Sequence, residues 1–97
     1  MKRPIVVRRI VGMSMAPKLR PGQLIMASPL LRRRLHPGQV VIFRKHDREM
    51  IKRIEKIDGD KVFVIGDNLQ ASTDSRQFGW LQRHDIIARV VRPNVAK

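Results

Sequence analysis

Three turn signals divide this chain into pieces too short for long helices. Arg20-Pro21-Gly22-Gln23, His36-Pro37-Gly38-Gln39 and Ile57-Asp58-Gly59-Asp60 each precede a run rich in Val and Ile. Pro followed by Gly suits the central positions of a type II turn, because glycine accepts a positive φ without strain. The runs so delimited are 5–11, 23–27, 39–44, 50–57, 61–65 and 86–92, all of strand length and β-branched composition. The pattern predicts an all-β chain, a single compact domain over residues 1–97 built from coiled antiparallel hairpins. Helix is expected only as single turns at Met15–Leu19 and Leu30–Leu35. The connections at 28–36 and 66–85 are long for so small a domain, and long loops tend to carry function.

Charge narrows the function classes. With 21 Lys and Arg against 8 Asp and Glu, the formal net charge is +13. Such a balance suits nucleic acid, an anionic membrane surface or an acidic partner. The aromatics are only Phe43, Phe63, Phe78 and Trp80, too few for a row of base-stacking platforms, so nucleic acid is not the expected partner. There is no cysteine, which excludes disulfides and zinc-thiolate sites. His36, His46 and His84 lack metal-ligand spacing, and no cofactor or metal is implied. No apolar stretch approaches the ~20 residues of a membrane span. Met1-Lys2-Arg3 and the apolar residues after it start like a leader, but Arg8 and Arg9 cut that short. The expectation is a soluble, cytoplasmic chain.

Three stretches carry the chemistry. In Gly12-Met13-Ser14-Met15-Ala16-Pro17 a serine follows a strand, where it can face a cleft with its own N–H toward a developing oxyanion. A serine there also serves as an ordinary turn residue. In Glu49-Met50-Ile51-Lys52-Arg53-Ile54 the period of two puts Lys52 on one face with Met50 and Ile54. Apolar neighbours desolvate an amine and lower its pKa, turning an ammonium into a general base. Working near neutrality from an ordinary value of ~10.4 costs roughly 4 kcal/mol. The alternative is a lysine whose stem merely covers the edge of a core. The third stretch, Gly66-Asp67-Asn68 followed by Ser72-Thr73-Asp74-Ser75-Arg76 and Phe78-Gly79, offers a hydroxyl at Ser72 and a charge pair between Asp74 and Arg76. It too can be a polar surface loop.

Together and in this order, the three stretches resemble the type I signal peptidase family. The matches are Ser14-Met15-Ala16-Pro17-Lys18-Leu19 with Gly22; Lys52-Arg53 with Gly59-Asp60; and Gly66-Asp67-Asn68 through Ser72, Asp74, Ser75, Arg76 and Gly79. The resemblance implies the signal peptidase catalytic fold and a Ser-Lys variant of triad logic. On it, Ser14 is the nucleophile, Lys52 the base, Ser72 the group that holds the Lys52 amine, and Asp74 with Arg76 the brace of that loop. Ile10, Met15, Leu19 and Ile51 match positions that line shallow pockets for small residues. In many bacterial members a serine two residues before the nucleophile supplies a second oxyanion donor. Here that position is Gly12. Gln23 and Gln39 replace the usual Asp after Gly, as turn variation.

Lys52 and Gly66 are separated by only a turn and a strand, whereas larger members insert a second β-domain there. The layout is similar to that of the small maturation proteases of nickel superoxide dismutase. The implied function is removal of an N-terminal extension from a precursor protein, bound as an extended strand. The alternative is a minimal signal peptidase at the membrane surface, touching anionic lipid through Leu30, Leu31, Arg32, Arg33 and Arg34 and through the run 24–27. Self-cleaving SOS repressors share a related Ser-Lys fold, but they carry a DNA-binding domain for which 97 residues leave no room. A non-enzymatic nucleic-acid-binding module would leave Ser14, Lys52 and Ser72 without a role.

Overall fold

Val40, Val41, Ile42 and Phe43 are consecutive and all buried, although alternate side chains of a strand point to opposite faces. Their strand must therefore be covered on both sides. The computed structural model describes residues 4–97, leaving Met1-Lys2-Arg3 outside the described residues. Val40 and Ile42 join a cluster with Ile10, Met15, Leu19, Ile25, Ala27 and Ala88. Val41 and Phe43 join a second one with Leu35, Ile54, Val62, Val64, Leu81 and Ile86.

The strands are β1 (Val6–Arg9), β2 (Leu24–Ser28), β3 (Val40–Lys45), β4 (Arg48–Asp58), β5 (Lys61–Ile65), β6 (Leu81–Gln82) and β7 (Ile86–Arg92). They form one seven-stranded sheet in the order β1-β2-β7-β3-β4-β5-β6, and every pairing is antiparallel. The architecture is a mostly antiparallel all-β domain with little helix. Register shifts on both sides of β7 and within β4 let the sheet bend around its two cores.

The six runs expected from sequence all appear, with ends moved by at most two residues. The two-residue β6 was not anticipated, nor was the one-turn helix α1 (Ser75–Phe78) inside the long 66–85 connection. The expected turn at 30–35 is a 3-10 turn over Pro29–Arg33. Met15–Leu19 closes one turn through Leu19 N–H to Met15 C=O at 2.9 Å. Gly22 and Gly38 carry φ of +88° and +94°, as type II Pro-Gly turns require. The glutamines after them have a specific task. Gln23 Oε1 accepts from Arg20 N–H at 3.0 Å and Gln39 Oε1 from His36 N–H at 2.8 Å, so each side chain closes the turn that precedes its strand. The β3–β4 hairpin turns on His46 and Asp47, both at positive φ, the conformation a two-residue hairpin loop needs.

Arg53 ties the end of the chain to this sheet. It is 4% exposed and grips both carboxylate oxygens of Asp67, at 2.8 and 2.7 Å. It also donates to the carbonyls of Gly38 and Val95 at 2.7 and 2.6 Å. Arg53→Met leaves the buried Asp67 carboxylate uncompensated, and we expect it to lower the urea-unfolding free energy by about 3–5 kcal/mol. Adding Asp67→Leu should recover most of that loss. A loss below about 1 kcal/mol, the range of exposed pairs, would show that water reaches the site.

Candidate active site

Ser14 is presented by a turn that its neighbours pin to the core. The chain leaves β1 with Ile10 bonded through N–H to Gln23 C=O and through C=O to Gly22 N–H, both at 2.8 Å. Gly12 then takes φ +82°, a backbone state that explains glycine where a side chain would otherwise fit, since no atom lies within 4 Å of a Cβ placed there. Met15 and Leu19 follow, buried to 2% and 0%, and hold the half-buried Ser14 at the edge of the core.

Lys52 reaches it from the second long element. It pairs with Val41 across the β3–β4 ladder and lies on the face of β4 shared with Ile54, a member of the second hydrophobic cluster, and Met50, which packs against that cluster half-buried. The side chain is 6% exposed, and Nζ donates to Ser14 Oγ at 2.7 Å. Burial pushes the amine below the ordinary lysine value; the Asp74 carboxylate opposes this and the Arg48 cation adds to it. A buried amine with a depressed pKa in contact with a hydroxyl can take its proton.

The 66–79 segment locks both parts in place. Asn68 N–H donates to the Ser14 carbonyl at 2.8 Å, so the Gly-Asp-Asn turn is docked on the backbone of the serine itself. Asp74 is fully buried and accepts from Ser72 Oγ at 2.6 Å, from Gly66 N–H at 2.9 Å and from Arg76 Nε and backbone N–H at 2.9 and 3.1 Å. Burial alone would raise its pKa, but the Arg76, Ser72 and Gly66 hydrogen bonds outweigh that and hold it well below the usual carboxylate range. Asp74 also caps α1 in a capping box with Gln77. The Ser72 hydroxyl, expected to hold the Lys52 amine, gives its proton to the ionised Asp74 carboxylate at 2.6 Å, which leaves the lone pairs of its oxygen to accept from an amine.

Ser14 and Lys52 open onto a cleft of about 640 Å³. Of the four residues expected to shape a pocket, Ile10, Met15 and Ile51 line this cleft. Leu19 does not: it lies wholly inside the first hydrophobic cluster, behind the turn that carries Ser14. His46, which the sequence did not connect to Ser14, sits on the rim of the same cleft. The residues considered for lipid contact lie elsewhere: Leu30 is 60% exposed, and Arg32 and Arg33 border a separate hollow with Arg83, His84 and Ile86. In the run 24–27, only Leu24 and Met26 are exposed, while Ile25 and Ala27 are core. Among the described residues no helix is long and apolar enough to cross a membrane.

Arg53, Asp67 and Gly66 have roles that sequence reasoning did not assign. The Arg53–Asp67 pair lies within the two matched motifs, but nothing periodic links positions so placed. A Cβ at Gly66 would collide with the Ser72 side chain and the Ser14 carbonyl, and the carbonyl belongs to backbone that cannot step aside. Gly66→Ala is expected to cost on the order of 1–3 kcal/mol by overpacking, read as a lower thermal unfolding midpoint. An unchanged midpoint would show that the loop is not seated on Ser14 as tightly as described.

No curated protein matches the chain. Residues 2–91 match the family described as Peptidase S24-like, whose members are serine peptidases with a Ser/Lys dyad. That match spans nearly the whole sequence, and the chain belongs to the Peptidase S24-like family.

Proposed function

We propose that the chain is an endopeptidase of the signal peptidase kind in which Ser14 is the nucleophile and Lys52 its general base. The observation that carries this is the 2.7 Å contact between Lys52 Nζ and Ser14 Oγ at the wall of an open cleft. With the amine neutral, the Ser14 hydroxyl donates to Nζ. The proton passes to Nζ as Oγ bonds to the scissile carbonyl carbon, and the Ser14 N–H faces the oxyanion. The ammonium then protonates the departing amine, and the acyl ester is hydrolysed by a water that Lys52 deprotonates. Ser72, Asp74 and Arg76 act by positioning: they keep the 66–79 segment against Ser14.

The substrate enters as an extended strand. β1 has β2 on one side only, and residues 48–52 of β4 precede the stretch paired with β5, so both have an edge available for backbone hydrogen bonds. We place the segment ahead of the cut along 10–12 and 49–51, with its last side chain against Ile10, Met15 and Ile51. The short path from Lys52 to Gly66, a turn and β5, favours a compact enzyme that trims an N-terminal extension from a precursor such as that of nickel superoxide dismutase.

Ser14→Ala and Lys52→Ala should each abolish peptide cleavage with the fold retained, and the double variant should be hardly worse than either. Activity should rise with pH as Lys52 loses its proton, with the limb below the ordinary lysine value of 10.5. Full activity in Lys52→Ala would sink the mechanism.

In peptides varied only at the residue before the cut, Ala, Ser and Gly should be cleaved at least ~10-fold more efficiently than Arg, Lys or Phe. A pocket of aliphatic walls leaves a charge unpaired and has little room for a ring. Efficient cleavage after Arg or Phe would show another pocket geometry.

A further inference from the structure

The cleft changes character away from the dyad. Its far end is lined by Arg8, Arg9, Lys45, His46 and Arg48, with Glu49 as the one carboxylate there. Glu49 is taken up by Arg8, at 2.6 and 3.1 Å, and Arg9 is turned to the Gly22 carbonyl at 2.6 Å. Lys45 and Arg48 stand directly opposite each other in the hairpin, so two like charges share one face, an arrangement that destabilises a strand pair. Among the described residues the ion pairs of Lys and Arg are Arg8–Glu49, Arg53–Asp67 and Arg76–Asp74, none of which neutralises Lys45 or Arg48. Arg48 is on the same face of β4 as Lys52, four residues away, or roughly 13 Å at the rise of a strand. An extended substrate has the same rise, so a residue about four positions from the reacting bond comes abreast of Arg48.

We propose that Lys45, Arg48 and His46 form a subsite for an acidic side chain of the substrate, three to five residues ahead of the cleaved bond. This rests on the placement of that segment along 10–12 and 49–51. A carboxylate there relieves the Lys45–Arg48 repulsion and sets the register of the strand, while the aliphatic pocket beside Ser14 selects the residue at the cut. The dyad would then act on peptides chosen at two separated points.

The test is a peptide series with Ala before the cut and Asp, Asn or Lys placed singly at each position from five residues before to five after. We expect kcat/KM for Asp to exceed that for Asn by about tenfold, the effect of one well-placed ion pair, only at positions three to five before the cut. The preference should shrink below about twofold in ~0.5 M salt, where charge attraction is screened. It should turn toward Lys in Arg48→Glu. Equal rates for Asp and Asn at those positions overturn the subsite, as does an acid preference of the same size at every position, which the net charge alone would produce. Should no peptide be cleaved, the peptidase assignment is what fails. The subsite is then judged by binding of the same labelled peptides to Ser14→Ala: a position-restricted preference for Asp supports it, and equal affinity overturns it.

Discussion

Two adjacent cations in β4 are buried, and the rest of the structure is arranged around what each is given for a partner. Lys52 and Arg53 are exposed to 6% and 4%, and only a strand sends neighbours in sequence to opposite faces. Arg53 meets a full set of acceptors: both oxygens of Asp67 and two backbone carbonyls. Lys52 meets a serine hydroxyl. The anion whose charge acts on it is Asp74, whose oxygens are already engaged by Ser72, Gly66 and Arg76. The same burial therefore produces a permanent ion pair on one face and a titratable amine on the other.

The 66–79 segment is polar yet densely hydrogen-bonded within itself and to the serine turn. A carboxylate as buried as Asp74 has to be saturated by donors, and those donors come from the loop's own residues and from the Gly66 N–H. Saturation fixes the loop, the loop fixes Asn68 against the Ser14 carbonyl, and the serine is held from behind by Met15 and Leu19. Ser14 is thus positioned by backbone contacts and core packing, which leaves its hydroxyl available to Lys52.

Much of the strand content was legible because β-branched runs and Pro-Gly turns are local signals. Lys52 was legible too, since the period of two puts it with Met50 and Ile54 on any strand. What sequence did not disclose depends on partners distant along the chain. Leu19 was taken for a pocket wall, because its closeness to Ser14 in sequence gives no sign that one helical turn swings it into the core. The bond from the Ser72 hydroxyl to Asp74 was not foreseen either, because the capping conformation that brings the two together is set by the fold of the loop. α1 was missed because four residues are too few for a 3.6-residue period to show; its start is set by the Asp74 cap. The four aromatics are occupied by packing: Phe43 lies against Phe78, and Phe63 meets Trp80 edge-on beneath Lys56.

The opposite treatment of these charges also separates the pH ranges of folding and chemistry. Asp67 and Asp74 have pKa values lowered from 3.8. Each binds fewer protons folded than unfolded near that value, so its contribution is fully present above 3.8 and is lost as the pH falls through the folded pKa. Lys52 is lowered from 10.5, so protonation favours the unfolded chain, and stability from this group rises with pH between the folded pKa and 10.5. The carboxylates make the scaffold firm across the neutral range. The lysine leaves it slightly compromised there, and the compromise is relieved as the amine loses its proton. The protonation state that suits the fold best is the one in which Lys52 can serve as a base, so the strain of burying that amine and its reactivity toward Ser14 have a single physical origin.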